Sequence, residues 1–170
     1  RALEALNRLE EAGRRGAVAV LLYHGAGESE WSDVPSVTRI ARHITALREA
    51  GYRFVAAHEL PELLARGEAA TTADGRVPRI ACVTWDDARR DAMRYATPLS
   101  AQLDVPMTML VPVGFVNEHH PFIASWSTLQ AAQGEGRWHF GSHGLDGHRP
   151  SPVDASGTLG PPLANRLWLP

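Results

Sequence analysis

Lysine is absent from the chain, and all 17 basic residues are arginine. This excludes mechanisms built on a lysine amine, Schiff-base chemistry and the phosphate-binding lysine of a P-loop among them. Cysteine is nearly absent. The single Cys82 has no partner for an internal disulfide, and its place inside an apolar run reads as a buried, inert thiol. No run of about 18 apolar residues occurs, so nothing has the length and hydrophobicity of a membrane span. Charge of one sign is also lacking: 17 basic against 19 acidic residues leave a net charge of -2. That balance gives no electrostatic reason to expect nucleic acid or an anionic membrane as partner. The first stretch, RALEALNRLEEAGRRG, is charged and helical in spacing and lacks the apolar centre of a signal peptide.

What is present is ordinary globular composition, 44% hydrophobic and 21% charged over 170 residues, which suits one domain with a real core. Leu3, Leu6 and Leu9 predict a lead-in helix over residues 1–16. Five short β-prone runs then alternate with helical patterns: Ala17–Leu22, Tyr52–Ala56, Arg79–Thr84, Met107–Val113 and Arg137–Gly141. Ser36 or Thr38 can cap a helix whose Val37, Ile40, Ile44 and Leu47 form one apolar stripe, with Gly51 as its stop. Glu59–Arg66, Arg89–Leu103 and Ser125–Gln133 read as further helices, and Pro98 predicts a kink or restart in the second of these. Ala26–Pro35, Gly67–Pro78 and Gly114–Pro121 read as loops, and residues 149–170 as an extended, proline-rich loop. Alternation of this kind predicts a parallel sheet or barrel with outer helices. Five strands fall short of the eight of a closed (β/α)₈ barrel.

The candidate chemistry lies just past the predicted strand ends. The run Ile80–Thr84 delivers Asp86 and Asp87 to a strand–loop–helix junction, where adjacent side chains point in different directions. One carboxylate can then hold a cation while the other faces a reactant. His24 follows the first run, and His143 and His148 follow the last. In a parallel α/β arrangement those ends share one face, so a site of two histidines and an aspartate is expected, suited to zinc or another late divalent metal. Each piece has a plainer reading. An Asp-Asp pair is often a turn or a helix cap. His43, His58, His119, His120 and His139 read as ordinary hydrogen-bonded histidines.

Several stretches resemble one family. TWDD at Thr84–Asp87, then YATPL and VPMTMLVPVGFV, look like the polysaccharide deacetylases of the NodB-homology type, carbohydrate esterase family 4. The upstream LLYHGA, REAGYRFV and HELPELLARG are also similar, so the resemblance runs from Val18 to His148. The family's first motif is usually T-F-D-D-G and its second His-(Ser/Thr)-x-x-His. Two departures stand out. Ala88 replaces the usual glycine, which strains the loop if that position needs a positive φ. HGLDGH, His143 to His148, is one residue longer than the usual second motif. That longer form, followed by Arg149 and GPPLANRLWLP, resembles the biofilm exopolysaccharide branch acting on poly-β-1,6-N-acetylglucosamine.

The resemblance implies a distorted, incomplete (β/α) barrel as a single domain over residues 1–170, truncated at its C-terminal side because the family's later motifs follow the histidine loop. It implies Asp87, His143 and His148 as ligands of one divalent ion, zinc first, with cobalt or nickel as alternatives. Asp86 is then the general base. His24 matches a pocket-lining histidine, and Asp146 orients an imidazole. It further implies an extracytoplasmic hydrolase that removes N-acetyl groups from an N-acetylglucosamine polysaccharide. Chitin and peptidoglycan remain as alternative substrates. A non-catalytic carbohydrate-binding remnant, with Trp31, Trp126, Trp138 and Trp168 stacking on sugars, is the competing reading.

Overall fold

The computed structural model describes residues 18–32, 34–67, 78–145, 150–152 and 156–160. The expected helix over 1–16, residues 68–77 of the expected Gly67–Pro78 connection, Asp146, His148 and Trp168 lie outside them.

Four parallel strands form the backbone of the sheet: β1 (Ala19–Tyr23), β3 (Ile80–Trp85), β4 (Met107–Val111) and β5 (Trp138–Ser142), in the order β1-β3-β4-β5. A fifth strand, β2 (Arg53–Phe54), also pairs with β3, through Arg53 opposite Ile80 and Phe54 opposite Ala81. Because β1 occupies one edge of β3, the other edge is divided: β2 takes its start, and β4 takes over from Val83 opposite Met107. The predicted 52–56 run is therefore cut to two residues. Beyond Phe54 the chain turns into a 3₁₀ turn at Ala57–Glu59, fixed by Ala57 N–H donating to Thr108 Oγ1 at 3.0 Å and Ala56 N–H to Glu59 Oε2 at 2.7 Å.

The helices form where the apolar spacing predicts. In α1 (Val37–Glu49), the Ser36 hydroxyl accepts from Arg39 N–H, Ile40, Ile44 and Leu47 are buried, and Gly51 leaves the helix at φ 84°. α2 is Leu60–Ala65. α3 (Arg90–Leu103) runs through Pro98 as one helix, so the expected restart does not occur. Its buried face of Ala92, Met93, Ala96, Leu99 and Ser100 is continuous across that proline, and packing outweighs the lost backbone bond. A short helix, α4 (Val113–Asn117), replaces the first part of the predicted 114–121 loop and shortens β4 to Val111. α5 (Trp126–Gly134) is capped by the Ser125 hydroxyl, which accepts from Thr128 N–H at 3.2 Å. Within the 149–170 tract, predicted as loop, β6 (Ser151–Pro152) pairs antiparallel with β7 (Leu159–Gly160).

One face of the sheet carries the core. Val83, Trp85, Met107, Met109, Val111 and Trp138 are buried in a single cluster with Ile40 and Ile44 of α1, Ala92, Ala96 and Leu99 of α3, and Ala132 of α5. Helices α1, α3 and α5 pack on this face, whereas Leu60 and Leu63 of α2 lie against Val55 and Ile80 in a separate cluster. The arrangement is an open, incomplete (β/α) barrel. On its opposite, inner face Val20 and Leu22 are 55% and 52% exposed.

Candidate active site

Parallel pairing brings the C-terminal ends of β1, β3 and β5 to one rim, where His24, Asp86, Asp87 and His143 meet. Asp86 N–H continues the ladder by donating to Tyr23 C=O at 2.9 Å, and His143 N–H donates to Val111 C=O at 2.8 Å. Backbone pairing thus carries each residue one step beyond its strand. His24 Nε2 stands 3.8 Å from Asp86 Oδ2, and His143 Nε2 stands 4.0 Å from the same oxygen and 3.7 Å from Asp87 Oδ1. His24 is half exposed, whereas the Asp86 side chain is only 13% exposed and its Oδ1 is buried with no hydrogen-bond partner among the described residues. A buried carboxylate oxygen in that condition calls for a donor, such as water or substrate, to satisfy it.

The aspartate turn has unusual backbone geometry. Asp87 has φ 73° and Ala88 φ 51°, so both lie in the left-handed region. Aspartate tolerates that region, but alanine in it costs about 1–2 kcal/mol. The strain expected from alanine in place of glycine is therefore present. The turn is held from outside. Ala124 N–H donates to Ala88 C=O at 2.9 Å, Arg90 N–H donates to Phe122 C=O at 2.9 Å, and Arg90 Nε donates to Ile123 C=O at 2.8 Å. Arg89 forms a two-pronged ion pair with Asp91, Nε to Oδ1 at 3.1 Å and a terminal nitrogen to Oδ2 at 2.5 Å. A side-chain carbon added at Gly25 would lie 3.0 Å from Arg89 Nε, so the glycine after His24 lets the two loops close against each other. Sequence reading passed over Arg89 as the start of a helix. The doubled arginine one residue past the aspartates is the available signal.

The histidine loop is likewise set by its neighbours. Val113 N–H donates to Gly144 C=O at 3.1 Å and Gly114 N–H to Leu145 C=O at 3.0 Å. The first turn of α4 thus satisfies its N–H groups on the loop that carries His143. Beneath the rim, burial raises the Tyr23 hydroxyl pKa, while burial and then the Arg39 charge lower that of His43. Tyr23 keeps its proton, and its hydroxyl shares a hydrogen bond with Nδ1 of a neutral His43 at 2.8 Å, the imidazole tautomer setting which of the two donates. Burial also raises the Cys82 thiol, consistent with an inert cysteine.

For a divalent ion, Asp87 and His143 are suitable oxygen and nitrogen donors. Two ligands at about 2.0–2.1 Å around a tetrahedral ion sit about 3.3 Å apart, close to the 3.7 Å between Asp87 Oδ1 and His143 Nε2. Among the described residues no three His, Cys, Asp or Glu side chains form a group able to hold an ion. The third expected ligand, His148, and Asp146 lie outside those residues. Trp138 is withdrawn as a sugar-stacking candidate. It is 2% exposed, packs against Trp85 and Phe140, and donates its indole N–H to Thr97 Oγ1 at 3.0 Å. Trp31 and Trp126 remain exposed.

This fold is the one found in polysaccharide deacetylases. IcaB from Ammonifex degensii superposes with a TM-score of 0.62 at 25% identity, covering 82% of this chain and 56% of that one. A de-N-acetylase from Aggregatibacter actinomycetemcomitans gives 0.66 at 13% identity, covering 85% and 61%. The BpsB deacetylase domain from Bordetella bronchiseptica gives 0.61 at 19% identity, covering 90% and 64%. The chain thus spans less than two thirds of each of these relatives, and the likeness is one of fold. By sequence, no family model and no curated protein matches. Among the described residues, no helix is long and apolar enough to cross a membrane.

Proposed function

We propose that the chain carries the metal and base side of a polysaccharide N-deacetylase site, hydrolysing N-acetyl groups on a β-linked N-acetylglucosamine polymer outside the cytoplasm. The observation that carries this reading is the convergence of Asp86, Asp87 and His143 within 4.0 Å at the strand ends of a deacetylase-type fold. Asp87 and His143, with His148 as the expected third ligand, hold a divalent ion, zinc before cobalt or nickel. That ion supplies Lewis-acid polarisation of the acetamide carbonyl and a more acidic water. Asp86 accepts the proton of the attacking water, a role suited to a carboxylate with one oxygen buried and lacking a partner. Water adds to the carbonyl carbon, the C–N bond breaks, acetate forms, and the sugar nitrogen leaves as an amine after gaining a proton. His24, 3.8 Å from Asp86, orients that carboxylate or the sugar beside it. The longer HGLDGH loop favours a β-1,6-linked exopolysaccharide over chitin or peptidoglycan.

The two aspartates separate the roles experimentally. Asp87→Asn keeps the turn, since asparagine also tolerates a positive φ. It should lower zinc affinity at least tenfold, read by competition with a chromogenic chelator. Asp86→Asn should retain near-native zinc affinity and lose acetate release by a factor of 100 or more, within the range for a general base. Equal behaviour of the two variants in both assays would refute the division of labour.

A further inference from the structure

Resting on the deacetylase reading, we infer that the segment from Phe115 to Trp126 is a stacking platform for the polymer beyond the reacting sugar. The connection to the site is direct. Residue 123 bridges Arg89 in antiparallel fashion, with Ala124 N–H on Ala88 C=O and Arg90 N–H on Phe122 C=O. Phe122 therefore pairs with Arg90, three residues along the chain from Asp87 and beside the aspartate turn.

A place beside the turn, and not on it, suits a neighbouring sugar of an extended chain. Phe122 is 72% exposed and Trp126 42% exposed. Their rings are held rather than loose. Phe122 leans on the His120 ring at 5.9 Å, and His120 in turn stacks on Phe115 at 5.1 Å and 24°. Trp126 donates its indole N–H to Asn117 Oδ1 at 2.9 Å, so the polar edge is satisfied while part of the ring stays uncovered.

Fixed aromatic rings with satisfied polar edges and open faces take the C–H faces of pyranose rings with little ordering cost. An N-acetylglucosamine polymer is uncharged, so a neutral platform beside an acidic pair suits it. The platform recognises an oligosaccharide, whereas a small acyl ester engages the aspartates alone.

The test compares the full chain with Phe122→Ala, Trp126→Ala and the conservative Phe122→Trp. Acetate release is followed from a β-linked N-acetylglucosamine hexamer and from a small acetyl ester. In parallel, hexamer binding is titrated in the presence of chelator, which reads the platform without hydrolysis. Phe122→Ala should raise the hexamer KM and weaken hexamer binding about tenfold. Its kcat/KM on the ester should be unchanged, and Phe122→Trp should restore hexamer binding. Hexamer binding that ignores both alanine substitutions overturns the platform while leaving the deacetylase reading intact. Phe122-dependent binding without any acetate release supports the platform and counts against deacetylation. Phe122-dependent self-association or vesicle binding, with hexamer binding unaffected, assigns the surface to another occupant and overturns the proposal.

Discussion

Replacing Ala88 by valine is expected to destabilise the protein by about 3 kcal/mol. Ala88 sits at φ 51°, fully buried, directly after Asp87. Alanine already bears about 1–2 kcal/mol of left-handed strain there, and a β-branched residue is a stronger outlier at positive φ. Two further methyl groups in a closed site add about 1–3 kcal/mol of overpacking. At about 2–4 °C per kcal/mol for a chain of this size, the melting temperature should fall by about 6–12 °C. Ala88→Gly is the control. It relieves about 1–2 kcal/mol of backbone strain, loses a buried methyl worth about 0.8 kcal/mol, and gives back about 0.5–1 kcal/mol through the freer unfolded chain. These terms nearly cancel, so glycine should lie within about 1 kcal/mol of the parent. Thermal and urea unfolding read both variants. A valine variant as stable as the parent would refute the left-handed geometry at this turn.

Two further outcomes follow from the packing around the site. Burial and Arg39 hold the His43 pKa below its ordinary 6.5, so the unfolded chain takes up a proton that the native protein resists. Stability is complete above about pH 6.5 and declines as pH falls toward the lowered folded value. His43→Gln should flatten that part of a stability–pH profile, and an unchanged slope would contradict the Tyr23–His43 assignment. Ser125→Ala removes the hydroxyl that accepts Thr128 N–H at the start of α5. It should cost about 1 kcal/mol in urea unfolding, whereas no measurable cost would show that the cap contributes nothing.

Much of the scaffold was legible because local signals and tertiary packing agree. Ser36, Ile40, Ile44, Leu47 and Gly51 act in α1 as their spacing predicts. The aspartates and His143 stand past the ends of β3 and β5, as the strand runs implied. What escaped the sequence reading depends on partners distant along the chain. α4 begins after Pro112 with no side-chain cap, and carbonyls of the histidine loop satisfy its first N–H groups. β2 is short because a threonine 51 residues away captures Ala57 N–H. α3 continues through Pro98 because its buried face is uninterrupted. The pairing of the 122–124 segment with the aspartate turn likewise has no local signature, although it links the exposed aromatic residues to the site.

The central claim is that Asp86, Asp87 and His143 form the working part of a metal-dependent deacetylase site. Its most direct test is acetate release from an N-acetylglucosamine oligomer by the purified chain. The assay would be run with zinc, with chelator, and with zinc restored after chelation. Release with zinc, loss on chelation, recovery on restoration, and no release by Asp86→Asn under any condition are the expected results. Acetate release that persists in chelator, or that survives Asp86→Asn, would contradict the claim.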